Sequence, residues 1–218
     1  MSQFQSPTYM PLHLPNWLSR LFKKGGRSPE NAAGVYEAKF EAARARTILW
    51  GLQPPRFEPL PLRFASAEAI ATTRRLLDYG LGGLREDVVA AQRFGLTVMV
   101  RGILEAQLRV RVAYTLGYVY QNGQRLCHTP IEGLEQMLRT GIAPGARISL
   151  HAWLTLPSHE IVDPTFWAVF PALSDPGERE AGGLFMHPDQ MSDRTYHPQW
   201  VGDGFVRRIG TLKEYDGW

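Results

Sequence analysis

At Val110 the spacing of apolar residues changes from helical to alternating. Val110, Val112, Tyr114, Leu116, Tyr118 and Tyr120 fall on every second position, interleaved with Arg111, Ala113, Thr115, Gly117 and Val119. That is the period of an extended strand whose successive side chains point to opposite faces. The stretches before it carry helix signals, and those after it carry strands and turns. A chain in this order builds an α+β domain, with N-terminal helices packed on an antiparallel sheet.

The helical half divides at its own punctuation. Ser28-Pro29-Glu30 is a helix start signal, and the helix it opens runs to about Trp50, where Gly51 and Pro54-Pro55 end it. A proline-rich strap follows to Leu62. Ser66 is an N-cap residue type for a second helix that runs to Tyr79 with Gly80 as its C-cap, and Arg85 opens a third that runs to about Leu108. After the strand, Asn122-Gly123 predicts a tight turn. A short helix is expected from Pro130 to Arg139, then strands from about Arg147 to Leu156 and Glu160 to Phe170, joined at Pro157-Ser158. Beyond Phe170, glycines and two His-Pro pairs predict irregular chain, with a last apolar stretch at Gly204 to Ile209.

With 218 residues, of which 44% are hydrophobic, one sizeable core can form. The expected organisation is an N-terminal arm, 1–28, and a single domain, 29–218. Within the arm, Leu14, Trp17, Leu18, Leu21 and Phe22 share a helical stripe ahead of Lys23 and Lys24. That stripe either docks on the domain's own core or makes weak contact with an acidic membrane. The 24 basic against 21 acidic residues give a net charge of +3 without a basic run, and no RNA-recognition or zinc-finger pattern occurs, so no nucleic-acid partner is expected. A single cysteine, Cys127, excludes an intrachain disulfide and a cysteine-rich metal site. With no Sec-type leader or long apolar span in the sequence, a cytoplasmic location is expected, although a signal read by a specialised secretion system would not show in this pattern.

The segment richest in chemistry is His151-Ala152-Trp153, followed across a predicted hairpin by Asp163-Pro164-Thr165-Phe166. On neighbouring strands His151 and Asp163 come within reach of a direct or diagonal pair. A carboxylate that holds one imidazole nitrogen protonated leaves the other free to take a proton from a nucleophile and return it to a leaving group. These motifs, with the preceding Leu116-Gly117-Tyr118-Val119-Tyr120, resemble the transglutaminase-like and papain-like cysteine enzymes over roughly residues 90–170. The resemblance implies a papain-like core, a cysteine nucleophile, and hydrolysis or acyl transfer at amide or thioester bonds of a protein or peptide substrate, without a cofactor or metal.

The resemblance also implies a cysteine at the start of the helix that precedes the Gly-Tyr strand. Counting back from Gly117 lands near Phe94 and Gly95, where there is none. Cys127 is the alternative nucleophile. It stands just before the Thr129-Pro130 helix start, where a helix N-terminus would favour the thiolate. Its other reading is a small loop residue, and His128 beside it is either an exposed or a capping residue. Gln92 is the candidate oxyanion donor or else a helix surface residue, and Thr97 is a weaker substitute nucleophile. His187 and His197, near Asp189, Asp193 and Tyr196, read as loop residues rather than metal ligands, and His159 as an exposed hairpin tip. Two functions are therefore expected: a cysteine hydrolase or acyltransferase using Cys127, His151 and Asp163, or an inactive protein-binding module of the same fold.

Overall fold

The computed structural model describes residues 34–81, 83–142 and 148–212, and its class is the expected α+β. Among the described residues four helices come first: α1 (Val35–Leu49), α2 (Ala67–Leu81), α3 (Glu86–Ala91) and α4 (Arg93–Leu108). They are followed by β1 (Ala113–Gln121), β2 (Gln124–Leu126), α5 (Ile131–Thr140), β3 (His151–Thr155) and β4 (Ile161–Asp163). The chain then forms α6 (Phe166–Val169), α7 (Pro176–Glu180), β5 (Leu184–Met186), β6 (Arg194–Val201) and α8 (Gly204–Arg208). The apolar stripe of the arm and the Ser28 start signal lie outside the described residues. Among the described residues no helix is long and apolar enough to cross a membrane.

Three expectations need correction. The helix predicted from Arg85 is two, broken at Gln92, whose φ of −98° and ψ of 13° leave the helical range. The strand predicted to reach Phe170 stops at Asp163. Pro164 has no N–H to give a ladder, and Asp163 Oδ1 instead accepts the backbone N–H groups of Thr165 and Phe166 at 3.1 and 3.0 Å, turning the chain into α6. The irregular C-terminal region holds two strands, β5 and β6. The His197-Pro198 pair, which reads as a break, sits inside β6 at a register shift opposite Leu116 and Gly117. An irregularity of this kind is where a strand tolerates proline. Gly117 is required there, because a Cβ would overlap the carbonyl oxygen of His197 and approach the Trp153 ring to 2.9 Å.

The six strands form one sheet in which β1 is central. Strand β6 runs antiparallel along β1 from Thr115 to Gln121. Strand β3 pairs with β1 from Ala113 to Gly117, and β2 pairs with it from Val119 to Gln121. A strand has two edges, and β6 occupies one of them across both stretches, so β2 and β3 share the other edge, end to end. Leu126 faces Val119 and His151 faces Gly117. At a strand's rise these two positions are separated along the edge by roughly 7 Å. The chain thus leaves the sheet after Leu126, forms α5, and returns beside its point of departure.

Each face of the sheet carries its own core. Tyr114, Leu116, Ala152 and Leu154 pack with Leu96, Val100 and Leu104 of α4. The alternate residues Ala113, Val119 and Trp153 pack with Tyr36 and Phe40 of α1, Phe57 of the strap and Phe166 of α6. Trp153 Nε1 donates to Tyr36 Oη at 2.8 Å, and the Tyr36 hydroxyl pairs with Thr155 Oγ1 at 2.7 Å. These bonds fix α1 to β3. The strap between α1 and α2 is held by Glu160, whose carboxylate accepts from the N–H groups of Phe64 and Ala65 at 2.6 and 2.9 Å.

Candidate functional site

The β3–β4 hairpin sets the central pair. Its register matches Leu154 with Val162 and Thr155 with Ile161, so Asp163 continues opposite Trp153 and diagonal to His151. Both odd-numbered side chains fall on one face, and a diagonal neighbour is within reach of a long side chain. His151 Nε2 lies 2.7 Å from Asp163 Oδ2, and neither side chain reaches solvent. The imidazole is enclosed by the rings of Trp153, Phe166 and Phe170, with centroids at 6.2, 5.9 and 6.0 Å.

Asp163 accepts four donors. Besides His151, Tyr196 Oη donates to Oδ2 at 2.8 Å, and the two backbone N–H groups at the start of α6 take Oδ1. Burial alone would raise this carboxyl's pKa, but the charge of His151 and the hydrogen bonds from His151, Tyr196 and Thr165 outweigh it and hold the pKa below the ordinary aspartate value. An ionised carboxylate only accepts. His151 therefore carries a proton on Nε2, and in the neutral imidazole Nδ1 holds the lone pair. That Nδ1 is buried and has no hydrogen-bond partner.

Cys127 follows β2 in a left-handed backbone conformation, with φ of 53°, at the place where β2 and β3 approach along the edge of β1. The same segment is tied to the start of β3 by Thr129 Oγ1, which donates to Ser149 O at 2.8 Å. Burial pushes the Cys127 thiol pKa up; the Arg93 charge draws it down, and that of Asp163 raises it again, for a net rise. The expected helix-favoured thiolate is thus not what this environment produces: at rest the group is a thiol, and the charges acting on it come from α4 and from the His151–Asp163 pair.

Helix α4, where the resemblance would place a nucleophile, covers the sheet face opposite the imidazole, since its buried residues pack with Leu150, Ala152 and Leu154. Its first residue, Arg93, reaches the edge of β3, donating to Leu150 O and Ile148 O at 3.3 and 3.4 Å. Gln92 is exposed at the α3–α4 break. The Thr97 hydroxyl is buried and donates to Arg93 O at 2.7 Å within its own helix, which occupies the proton a nucleophile would have to lose.

The other histidines among the described residues have structural partners. His128 meets the Tyr118 ring edge-on at 4.6 Å. His159, expected at an exposed tip, is buried against Phe40 and Phe57, because α1 and the strap cover the hairpin. His187 pairs with Asp189 at 2.7 Å, and His197 stacks on Tyr118 with centroids 4.5 Å apart. Among the described residues no group of three or more His, Cys, Asp or Glu could hold a metal ion.

Tyr196 and the neighbouring Arg194 were not singled out from the sequence as partners of the dyad. The usable signal was the Thr195-Tyr196-His197-Pro198-Gln199-Trp200-Val201 run, rich in β-branched and aromatic residues, which the internal proline obscured. No family model, curated protein or solved structure matches the chain.

Proposed function

We propose that the protein is a cysteine hydrolase or acyltransferase of the transglutaminase-like or papain-like kind, acting on an amide or thioester bond of a protein or peptide. The observation that carries this reading is the His151–Asp163 pair with Nδ1 left as a buried base lacking a partner. A buried polar atom without a partner is costly in a core and calls for a reason. Cys127 Sγ would give its proton to His151 Nδ1 and attack the carbonyl carbon. His151 would then protonate the leaving nitrogen or sulfur, leaving an acyl thioester on Cys127. Water or an amine would attack that thioester, its proton passing to His151, and release of the acyl product would regenerate the thiol. Asp163 orients the imidazole throughout and stabilises its charged form.

The second reading, an inactive protein-binding module of the same fold, draws on a different observation: the pair is fully enclosed and the Cys127 thiol is disfavoured as a thiolate. Intact-mass analysis after incubation with small thioester and activated-ester acyl donors separates the two. The enzyme reading requires one acyl adduct on Cys127 that disappears in C127A and forms far more slowly in H151A. An adduct that is absent, or that forms equally well without His151, leaves the binding module.

A further inference from the structure

Behind Asp163 the contacts continue into a second set of buried groups. Tyr196 Oη donates to Asp163 Oδ2 at 2.8 Å, and Arg194 hydrogen-bonds Tyr196 in turn. The Arg194 guanidinium is 4% exposed, lies 3.6 Å from the centroid of the Phe166 ring, and is bound by Glu178 Oε1 at 3.1 Å and Gln121 Oε1 at 3.2 Å. The same Phe166 contributes a backbone N–H to Asp163 and a ring to the wall around His151. A buried cation of this kind is costly unless fully partnered, and an apolar residue of similar volume would avoid that cost.

We propose that Tyr196, polarised by Arg194 and balanced by Glu178, is a positioning residue that fixes the Asp163 carboxylate and so keeps the His151 proton on Nε2 and its lone pair on Nδ1. The inference rests on His151 acting as the base of the reading above. Hydrogen bonds in a low-dielectric interior polarise one another along a chain. Two donors compete for Asp163 Oδ2, so weakening the bond from Tyr196 strengthens the one from His151, and the reverse holds as well. The carboxylate's hold on the imidazole is thereby set from the far side of Arg194.

The test is the proton resonance of His151 Nε2–H in histidine-labelled protein, compared between wild type, Y196F and E178Q. Y196F keeps the ring that packs on Trp153, at 5.0 Å between centroids, but removes one donor, so the His151–Asp163 bond tightens and the resonance moves downfield. E178Q releases Arg194 towards Tyr196, strengthens the competing donor, and moves the resonance upfield. A purely structural role gives no such pair of opposite shifts. An unmoved resonance in both folded variants, or shifts in the same direction, overturns the proposal; if Y196F does not fold, the sign of the E178Q shift decides alone. The readout does not need a reactive thiol. Opposite shifts without any Cys127 adduct would keep the network and sink the enzyme reading, whereas a His151-dependent adduct with no shift would sink only the network.

Discussion

Removing the carboxylate of Asp163 should be among the most damaging single truncations in the sheet. Asp163→Ala strips an acceptor from His151, Tyr196 and the N–H groups of Thr165 and Phe166 at once. Each buried donor left without a partner costs roughly 1–3 kcal/mol. The four are not independent, because the start of α6 can shift to relieve the two backbone groups. Breaking a buried charged pair by deleting one member typically costs about 3–5 kcal/mol, and that is the expected loss here. For a chain of this size it corresponds to a fall in Tm of about 6–20 °C. The assay is urea unfolding followed by tryptophan fluorescence, which Trp153 in the same layer should report. His151→Ala is measured beside it, together with the double mutant. If the two side chains act as a pair, the double mutant loses less than the sum of the single losses, by at least about 1 kcal/mol. A single-mutant loss below about 1 kcal/mol, or strict additivity, would refute the view that this pair is a coupled buried unit.

Acid should weaken the fold through the same carboxylate. Its folded pKa lies below the unfolded value, so its contribution is fully present above the unfolded pKa of about 3.9 and is lost as pH falls through the folded value. The urea midpoint should drop below about pH 4 in the wild type and less steeply in D163N. Because burial raises the Cys127 thiol pKa, iodoacetamide labelling of the native chain should turn on above the ordinary thiol range near about 8.5, and an inflexion below about 7.5 would contradict the assigned environment. Gly117→Ala should cost more than about 3 kcal/mol or abolish folding, since its methyl would overlap His197 O beside Trp153; near-wild-type stability in thermal melts would show that the β1–β6 irregularity is looser than described. Glu160→Ala should free the strap at Phe64 and Ala65, with limited proteolysis cutting between residues 52 and 65 well before the wild type is cut there.

The central hairpin was legible because its information is local. Twelve positions separate His151 from Asp163, the turn between them is short, and alternation alone puts both odd-numbered residues on one face. The helix-then-sheet order was legible for the same reason: the period changes at one place. What the sequence hid depends on partners far along the chain. Tyr196 meets Asp163 across 33 positions, and Arg194 meets Gln121 across 73, and neither pairing has a periodic signature. His197-Pro198 looked like a break because proline removes a ladder donor, and only the glycine opposite, with the register shift beside it, makes the strand possible. His159 looked exposed because a hairpin tip is normally wet; the aromatic residues that cover it come from α1 and the strap. For Cys127, the sequence showed a neighbouring helix start but could not show that burial would dominate its charge.

The shared edge of β1 has a consequence for how this chain can change. Residues 127–150 are a detour that departs and rejoins the sheet at adjacent places, so the span its two ends must bridge stays fixed however long it grows. Lengthening it would cost little in closure entropy, whereas trimming α5 would take Leu134 and Leu138 out of the main core. Cys127 stands at the mouth of that detour, whereas the base sits on a strand buried along its whole length.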